Sequence, residues 1–363
     1  MKRLSITLLL ICAMFDSYNA CTTFVIKDST HLLFCRNYDY DFGAGFIVIN
    51  KRNVAKRSLV FQPYEPLKWV SKYGSITFNQ VGVDAPMGGM NEKGLVISLM
   101  ALPESKYPEY KGGAALNQME WIQYQLDNSA SLKEVIANAK KLQTVPVATP
   151  AHYFVCDSLG NIGIFEYLNG ELIIYQDAEV TIPVCSNMIY EKSVDAIKDY
   201  KGFGGEKSIP AKWRSVADIV AIARSKIDEY KKSNDKDPVD YSFQTLAAVG
   251  SPERTQWSVV YDIKEMKIHF KSLHNKNIRT LNFYDFDYDC GNEIQILDIQ
   301  TSINSTPVKD QFFTLTKEYY TSYKVNLIHW FKMNVKGFPD IPNEAINNEV
   351  KYIFKRKCRE HVK

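Results

Sequence analysis

The chain has 363 residues, 45% hydrophobic, 13% aromatic and 23% charged, which is the composition of a globular protein rather than a disordered or fibrous one. Lys and Arg total 44 against 41 Asp and Glu, and the resulting formal charge of +3 argues against nucleic acid or another polyanion as the main partner. Seven cysteines include no CxxC pair and six histidines no HExxH or HxH, so no metal-ligand spacing is visible and no metal site is expected; the cysteine chemistry read below needs no cofactor either.

At the start of the chain, Lys2 and Arg3 precede an apolar stretch from Leu4 to Phe15, and Ser17, Tyr18, Asn19 and Ala20 lead into Cys21. This is the order of a secretory signal, about twelve apolar residues being too few to span a bilayer core of about 30 Å. Cleavage after Ala20 is expected, although Tyr18 fills a place where a small residue is usual, and the exported product would be periplasmic or extracellular. No later stretch is long and apolar enough to suggest a membrane span. Cleavage there would make Cys21 the N-terminal residue, a thiol and a free α-amine carried together. Two readings of Cys21 are open. As a lipid anchor for a ligand-binding lipoprotein it would want a Leu-like residue three positions earlier and a flexible tether after it, and the sequence has neither. As a nucleophile it would use its own α-amine, with a reference pKa of about 7.7–8.0, to take the proton from the thiol.

From Cys21 to Ile26 the β-branched and aromatic residues predict a strand. Leu32 to Arg36 is a second strand after a turn at Asp28 to Thr30, and Phe46 to Asn50, Ser75 to Asn79 and Leu95 to Met100 add three more. Helical periodicity takes over from Leu116 to Leu126 and from Leu132 to Ala139. Strands return at Tyr153 to Cys156, Ile162 to Tyr167, Leu172 to Tyr175 and Pro183 to Ser186, with Asn169-Gly170 as a hairpin signal. Helices are predicted from Trp213 to Tyr230 and Tyr241 to Ala248, then a hairpin of Trp257 to Tyr261 with Ile268 to Lys271. Phe312 to Lys332 and Ala345 to Phe354 read as helices, and the basic run Lys351, Lys355, Arg356, Lys357, Arg359, Lys363 reads as a solvated face. Two sheets flanked by helices on both outer sides, a four-layer αββα sandwich of the α+β class, is the simplest packing of this order.

An N-terminal thiol nucleophile needs a charge that favours the thiolate, an oxyanion donor and a means of holding its substrate. Arg36 ends the strand that most simply pairs with the first, so its guanidinium could lie beside the sulfur, and Asp39 follows closely enough to orient the α-amine. The alternative is a surface ion pair of little consequence. Asn91-Glu92-Lys93-Gly94 predicts a tight turn with Gly94 at positive φ. His152 is expected to pack inside with its ring nitrogens satisfied, and Trp69, Met87, Met90 and Met100 to be core residues that could line an acyl pocket.

The opening Cys-Thr-Thr, Cys35-Arg36-Asn37-Tyr38-Asp39, Trp69 to Ser75, Gly89 to Leu95, Trp121 to Asn128, Cys185-Ser186-Asn187 and Thr255-Gln256-Trp257-Ser258 with Asp262 together resemble the choloylglycine hydrolase and penicillin V acylase family over about residues 21 to 285. The resemblance implies an N-terminal nucleophile hydrolase of linear, non-peptide amide bonds with the αββα fold, a small-molecule N-acyl amide as substrate, and a homo-oligomer after the family's tendency to tetramers. With the signal and tail read above, the chain is expected to divide into a removed signal over 1–20, the hydrolase domain over 21–311 and a basic helical extension over 312–363. The resemblance makes Cys21 the nucleophile, places Arg36 against the sulfur and Asp39 on the α-amine, and has Asn187 donate its side-chain amide to the oxyanion. A further family arginine opens a helix in an Arg-Phe pair; here Ala211-Lys212-Trp213-Arg214-Ser215 offers Arg214, or Lys212 if Trp213 takes the place of the aromatic. The second polar residue of the best-known relatives falls on Ala101, which leaves only a backbone amide there, so bile salt specificity does not follow. Penicillin V, fatty acyl amides, acyl-homoserine lactones and acyl transfer to a small amine stay open. Cys35, Cys156 and Cys185 read as small buried hydrophobes, no disulfide is assigned, and Asn304-Ser305-Thr306 matches a glycosylation sequon.

Overall fold

The computed structural model describes residues 21–147, 149–232, 236–291, 293–304 and 307–359. The signal expected over 1–20, part of the sequon and Lys363 fall outside these residues.

The first strand, β1 (Thr22–Lys27), and the second, β2 (Leu32–Asp39), form an antiparallel hairpin. Its turn is fixed by one side chain: Asp28 Oδ1 accepts from the backbone N–H of Thr30 at 2.7 Å and of His31 at 2.6 Å. That turn sets the register in which Thr23 faces Arg36 and Thr22 faces Asn37. The hairpin lies in a six-stranded antiparallel sheet in the order Val184–Ser186, β1, β2, Thr255–Asp262, Lys267–Ser272, Arg279–Asn282. A second sheet of nine strands runs Glu171–Gln176, Ile162–Leu168, Ala151–Cys156, Val96–Ala101, Pro86–Asn91, Ser75–Asn79, Phe46–Asn50, Gln295–Asp298, Phe313–Thr314.

The sheets face each other across the main core, where Phe34 of the first meets Phe154 of the second at 5.5 Å between ring centroids. Helices α1 (Gln118–Asn128) and α2 (Leu132–Ala139) cover the outer side of the second sheet, Trp121 stacking on Tyr153 at 4.1 Å. An Asn117–Glu120 capping box starts α1. Helices α3 (Tyr190–Ile197), α4 (Val216–Lys232) and α5 (Pro238–Val249) cover the first sheet, packing Ile219, Ile222 and Leu246 on Phe24, Ile26, Leu33 and Cys35. The αββα sandwich read from the sequence is therefore present. Helices α6 (Lys317–Asn334) and α7 (Asn343–Ile353) add a further cluster, Tyr320, Ile346 and Val350 closing on Phe46, Val48 and Ile296 of the second sheet.

The turn after Asn91 is as predicted. Gly94 has φ +73°, and Asn91 Oδ1 accepts from Lys93 and Leu95 while its amide donates to Leu126 and Ser129 carbonyls at 2.9 and 2.7 Å. Three features go beyond the sequence reading. Pro86–Asn91 is an inner strand despite its Pro and two Gly. Cys290 and Cys358 are joined by a disulfide, whereas Cys35, Cys156 and Cys185 are free and buried as expected. Arg356 corrects the reading of the basic run as a solvated face. Its side chain is 8% exposed and paired with the buried Asp84, while Lys351, Lys355, Lys357 and Arg359 are exposed.

Candidate active site

Cys21 stands immediately before β1 at 6% exposure, and strand alternation points it with Thr23 and Val25 into the space between the sheets. Its position is fixed from both sides. Ser186 Oγ donates to the Cys21 carbonyl at 2.7 Å, and the Cys21 thiol approaches the Asp39 carbonyl at 3.8 Å. Since Thr22 pairs with Ser186 and with Asn37, the next antiparallel step places Asn187 on one side of Cys21 and Tyr38 on the other. Tyr38 stacks on Trp257 at 4.2 Å and donates its hydroxyl to Gln80 at 2.6 Å, which gives this row a rigid aromatic end.

Arg36 projects from β2 onto the same inner face and is 1% exposed. One terminal nitrogen donates to the Met87 carbonyl and to Ser98 Oγ, both on the second sheet. Room for this crossing comes from Gly88, where an added Cβ would lie 3.0 Å from that nitrogen. Arg36 Nε and its other terminal nitrogen have no hydrogen-bond partner. A buried cation with two donors unspent is unusual, because such groups are normally paired. Burial pushes the Cys21 thiol up, and Arg36 is the main influence in the opposite direction.

Asp39 lies on the opposite face of β2, where its carboxylate accepts from Thr255 Oγ1. Burial raises its pKa to about 7, against the pull of Thr255, Arg36 and Arg254. Arg254, half-buried at the rim and paired with Asp41 at 2.6 Å, is the guanidinium that sequence reasoning missed, and its position just before Thr255-Gln256-Trp257 was the available signal. Arg214 is exposed ahead of α4 and donates its backbone N–H to Asp218 at 2.9 Å; Lys212 is exposed beside it, and Trp213 donates to the Gly250 carbonyl at 3.1 Å. The structure thus brings together Cys21, Arg36, Asp39 and, by register, Asn187, while Arg214 and Lys212 are exposed ahead of α4.

The remaining candidates have structural partners. Trp69 donates to Asp127 at 2.8 Å, Thr23 Oγ1 donates to Met100 Sδ at 3.0 Å, and Ala101 ends its strand opposite Ala151. His152 is fully buried with Nδ1 at 2.9 Å from Glu166, as the sequence suggested. Among the described residues no group of three or more His, Cys, Asp or Glu could hold a metal ion, and no helix is long and apolar enough to cross a membrane.

Residues 21–218 match the family of linear amide C–N hydrolases, choloylglycine hydrolase family. A penicillin V acylase of Pectobacterium atrosepticum is 24% identical over 254 residues, covering 58% of this chain and 66% of that relative, so the chain spans just under two thirds of its length. The penicillin V acylase structure from Agrobacterium tumefaciens superposes with TM-score 0.70 at 25% identity, covering 82% of this chain and 98% of that one. The conjugated bile acid hydrolase of Clostridium perfringens shares the fold, with TM-score 0.65 at 19% identity, covering 79% of this chain and 99% of that one. The match begins at Cys21 itself and the likeness of fold extends over most of the molecule, so the chain belongs to the choloylglycine hydrolase family of linear amide C–N hydrolases.

Proposed function

We propose that the protein hydrolyses the linear amide bond of a small N-acyl compound, with Cys21 as the nucleophile after removal of residues 1–20. The observation that carries this reading is Arg36, a buried guanidinium beside the Cys21 thiol with two nitrogens unspent. Structural burial alone gives no reason to hold an incompletely paired charge there, whereas a thiolate would complete its pairing.

The freed α-amine of Cys21 takes the thiol proton, and the sulfur attacks the amide carbonyl. The carbonyl oxygen becomes an oxyanion held by the Asn187 side-chain amide, a contribution typically worth about 3–4 kcal/mol. The C–N bond breaks, the Cys21 ammonium hands its proton to the departing amine, and an acyl-thioester remains on the sulfur. Water, giving a proton to the same α-amine, then cleaves the thioester, releasing the carboxylic acid and restoring the thiol. Asp39 and Arg254 set the charge balance around this end of the sheet. Export belongs to the same proposal and is supported by the Cys290–Cys358 disulfide, since such bonds persist in oxidising compartments.

The test is a hydrolysis panel of penicillin V, glycine- and taurine-conjugated bile acids and fatty acyl amides, run on wild type and Cys21→Ser with intact-mass analysis. Activity confined to chains beginning at Cys21 and lost in Cys21→Ser supports the proposal. Full activity in Cys21→Ser, or in chains that keep the residue before Cys21, would end it.

A further inference from the structure

Three chemistry-bearing side chains that the mechanism does not use meet between the two sheets. His152 lies on Ala151–Cys156 and Glu166 on Ile162–Leu168, and the pairing of Tyr153 with Phe165 puts the two directly opposite each other, one step along. Both side chains are 0% exposed, and His152 Nδ1 is 2.9 Å from Glu166 Oε1. Both belong to the second sheet, yet what they touch belongs to the first sheet and the helix that follows its edge strand. Cys185 Sγ sits 3.8 Å from each ring nitrogen of His152, and Glu166 Oε1 also accepts the backbone N–H of Tyr190 at 2.9 Å.

Those two contacts bracket a short piece of chain. Cys185 is in the strand beside β1, Tyr190 is the first residue of α3, and Asn187 lies between them. Inside the bracket the chain turns tightly, the Met188 N–H donating to the Ser186 carbonyl at 2.7 Å. Tyr190 adds a second hold, since its hydroxyl accepts from Ile182 N–H at 3.0 Å. Glu166 Oε2 has no partner, so the pair is buried without full satisfaction, an arrangement that apolar residues of similar volume would often match or exceed in stability.

We infer that His152 and Glu166, with Cys185 against the imidazole, are positioning residues for the reaction: they hold the 185–190 segment so that the Asn187 amide meets the oxyanion formed at Cys21. The inference rests on the proposed role of Asn187. Burial pulls the His152 pKa down, but Cys185 and Glu166 outweigh it and set it at about 10, so these contacts favour a ring held by both neighbours.

The experiment is a double-mutant cycle of Glu166→Ala with Asn187→Ala in the processed, full-length enzyme, with kcat and KM read separately on an amide that the wild type hydrolyses. Glu166→Ala is expected to lower kcat about 10- to 100-fold with KM within about 2-fold, and to have almost no further effect once Asn187 is Ala. Glu166→Gln, which keeps the acceptor for Tyr190 N–H, should recover most of the rate, and Glu166→Asp, which draws that acceptor back by one methylene, carries the cycle if the Ala variant does not fold. Equal factors on both Asn187 backgrounds would overturn the inference, because Glu166 would then act elsewhere. Hydrogen exchange of peptides covering 184–190 gives a readout that needs no substrate. Faster exchange confined to that segment in Glu166→Ala is expected, and unchanged exchange overturns the inference even if the wild type hydrolyses nothing in the panel. Absence of hydrolysis by the wild type, or full activity in Cys21→Ser, would instead count against the proposed function.

Discussion

Among the described residues, the buried charges around Asp84 and those around Arg36 are built on opposite rules. In the first, Lys56 stands 3.2 Å from Asp84 and 2.9 Å from Asp127, and Arg356 closes on the other side of Asp84. Two cations face two carboxylates. Burial alone would raise the Asp84 pKa, yet Arg356 and Lys56 hold it below the usual carboxylate range. In the second, Arg36 shares the interior with a thiol and with Asp39, whose own pKa is raised to about 7, and two of its nitrogens are unspent. The first cluster is balanced by protein alone and holds α7 and the chain after it to the body. The second is left incomplete beside Cys21, where under the proposed function a thiolate would complete the pairing. Buried charge therefore has two uses here, and counting counter-charges separates them.

Substitutions should affect the two clusters in opposite ways. In the incomplete cluster, Asn187→Ala is expected to lower kcat by about 10²- to 10³-fold, read by steady-state hydrolysis, with the fold intact. Arg36→Met should slow alkylation of Cys21 by iodoacetamide at neutral pH by about 10-fold or more, while thermal melting shows stability unchanged or increased, because an under-paired buried charge is removed. In the balanced cluster the signs reverse. Arg356→Ala leaves two carboxylates facing one ammonium and should cost about 3–5 kcal/mol of stability in denaturant titrations, with the rate per folded molecule unchanged. Loss of activity from Arg356→Ala without loss of stability would erase the distinction.

The smallest effect concerns pH. The folded Asp39 keeps its proton up to about 7, whereas in the unfolded chain it ionises near its ordinary value of about 4. Between those values the unfolded state binds fewer protons, so stability falls as pH rises, by up to ~1.4 kcal/mol per pH unit from this group. Asp39→Asn should flatten that slope when melts are compared across the window. An unaltered slope would mean that Asp39 does not titrate there.

The parts of this site that were legible in the sequence are those governed by local rules. The Asp28 turn sets a hairpin register, and the register brings Arg36 next to Cys21. Gly94 needs positive φ, and the turn after Asn91 follows. The parts that were not legible are set by space and by distant partners. Gly88 and Gly89 weaken the strand signal of Pro86–Asn91, yet they are there because an added Cβ would meet Arg36 in one case and Thr77 in the other. Arg356 read as one of several solvated cations because its partner Asp84 is 272 residues away. The His152–Glu166 contact depends on the pairing of two strands, which composition does not reveal.

That distance of 272 residues also has a kinetic meaning. Contacts between remote parts of a chain form after the local ones, since loop closure must be completed first. The Asp28 hairpin that frames Cys21 can form early, whereas Arg356 reaches Asp84 only once the sheets exist. A contact missing from the folding transition state acts on the way out rather than on the way in, so Arg356→Ala is expected to speed unfolding more than it slows folding, read from the two arms of a denaturant chevron. Under the export proposed above, where refolding assistance would be scarce, resistance to opening is the more useful of the two.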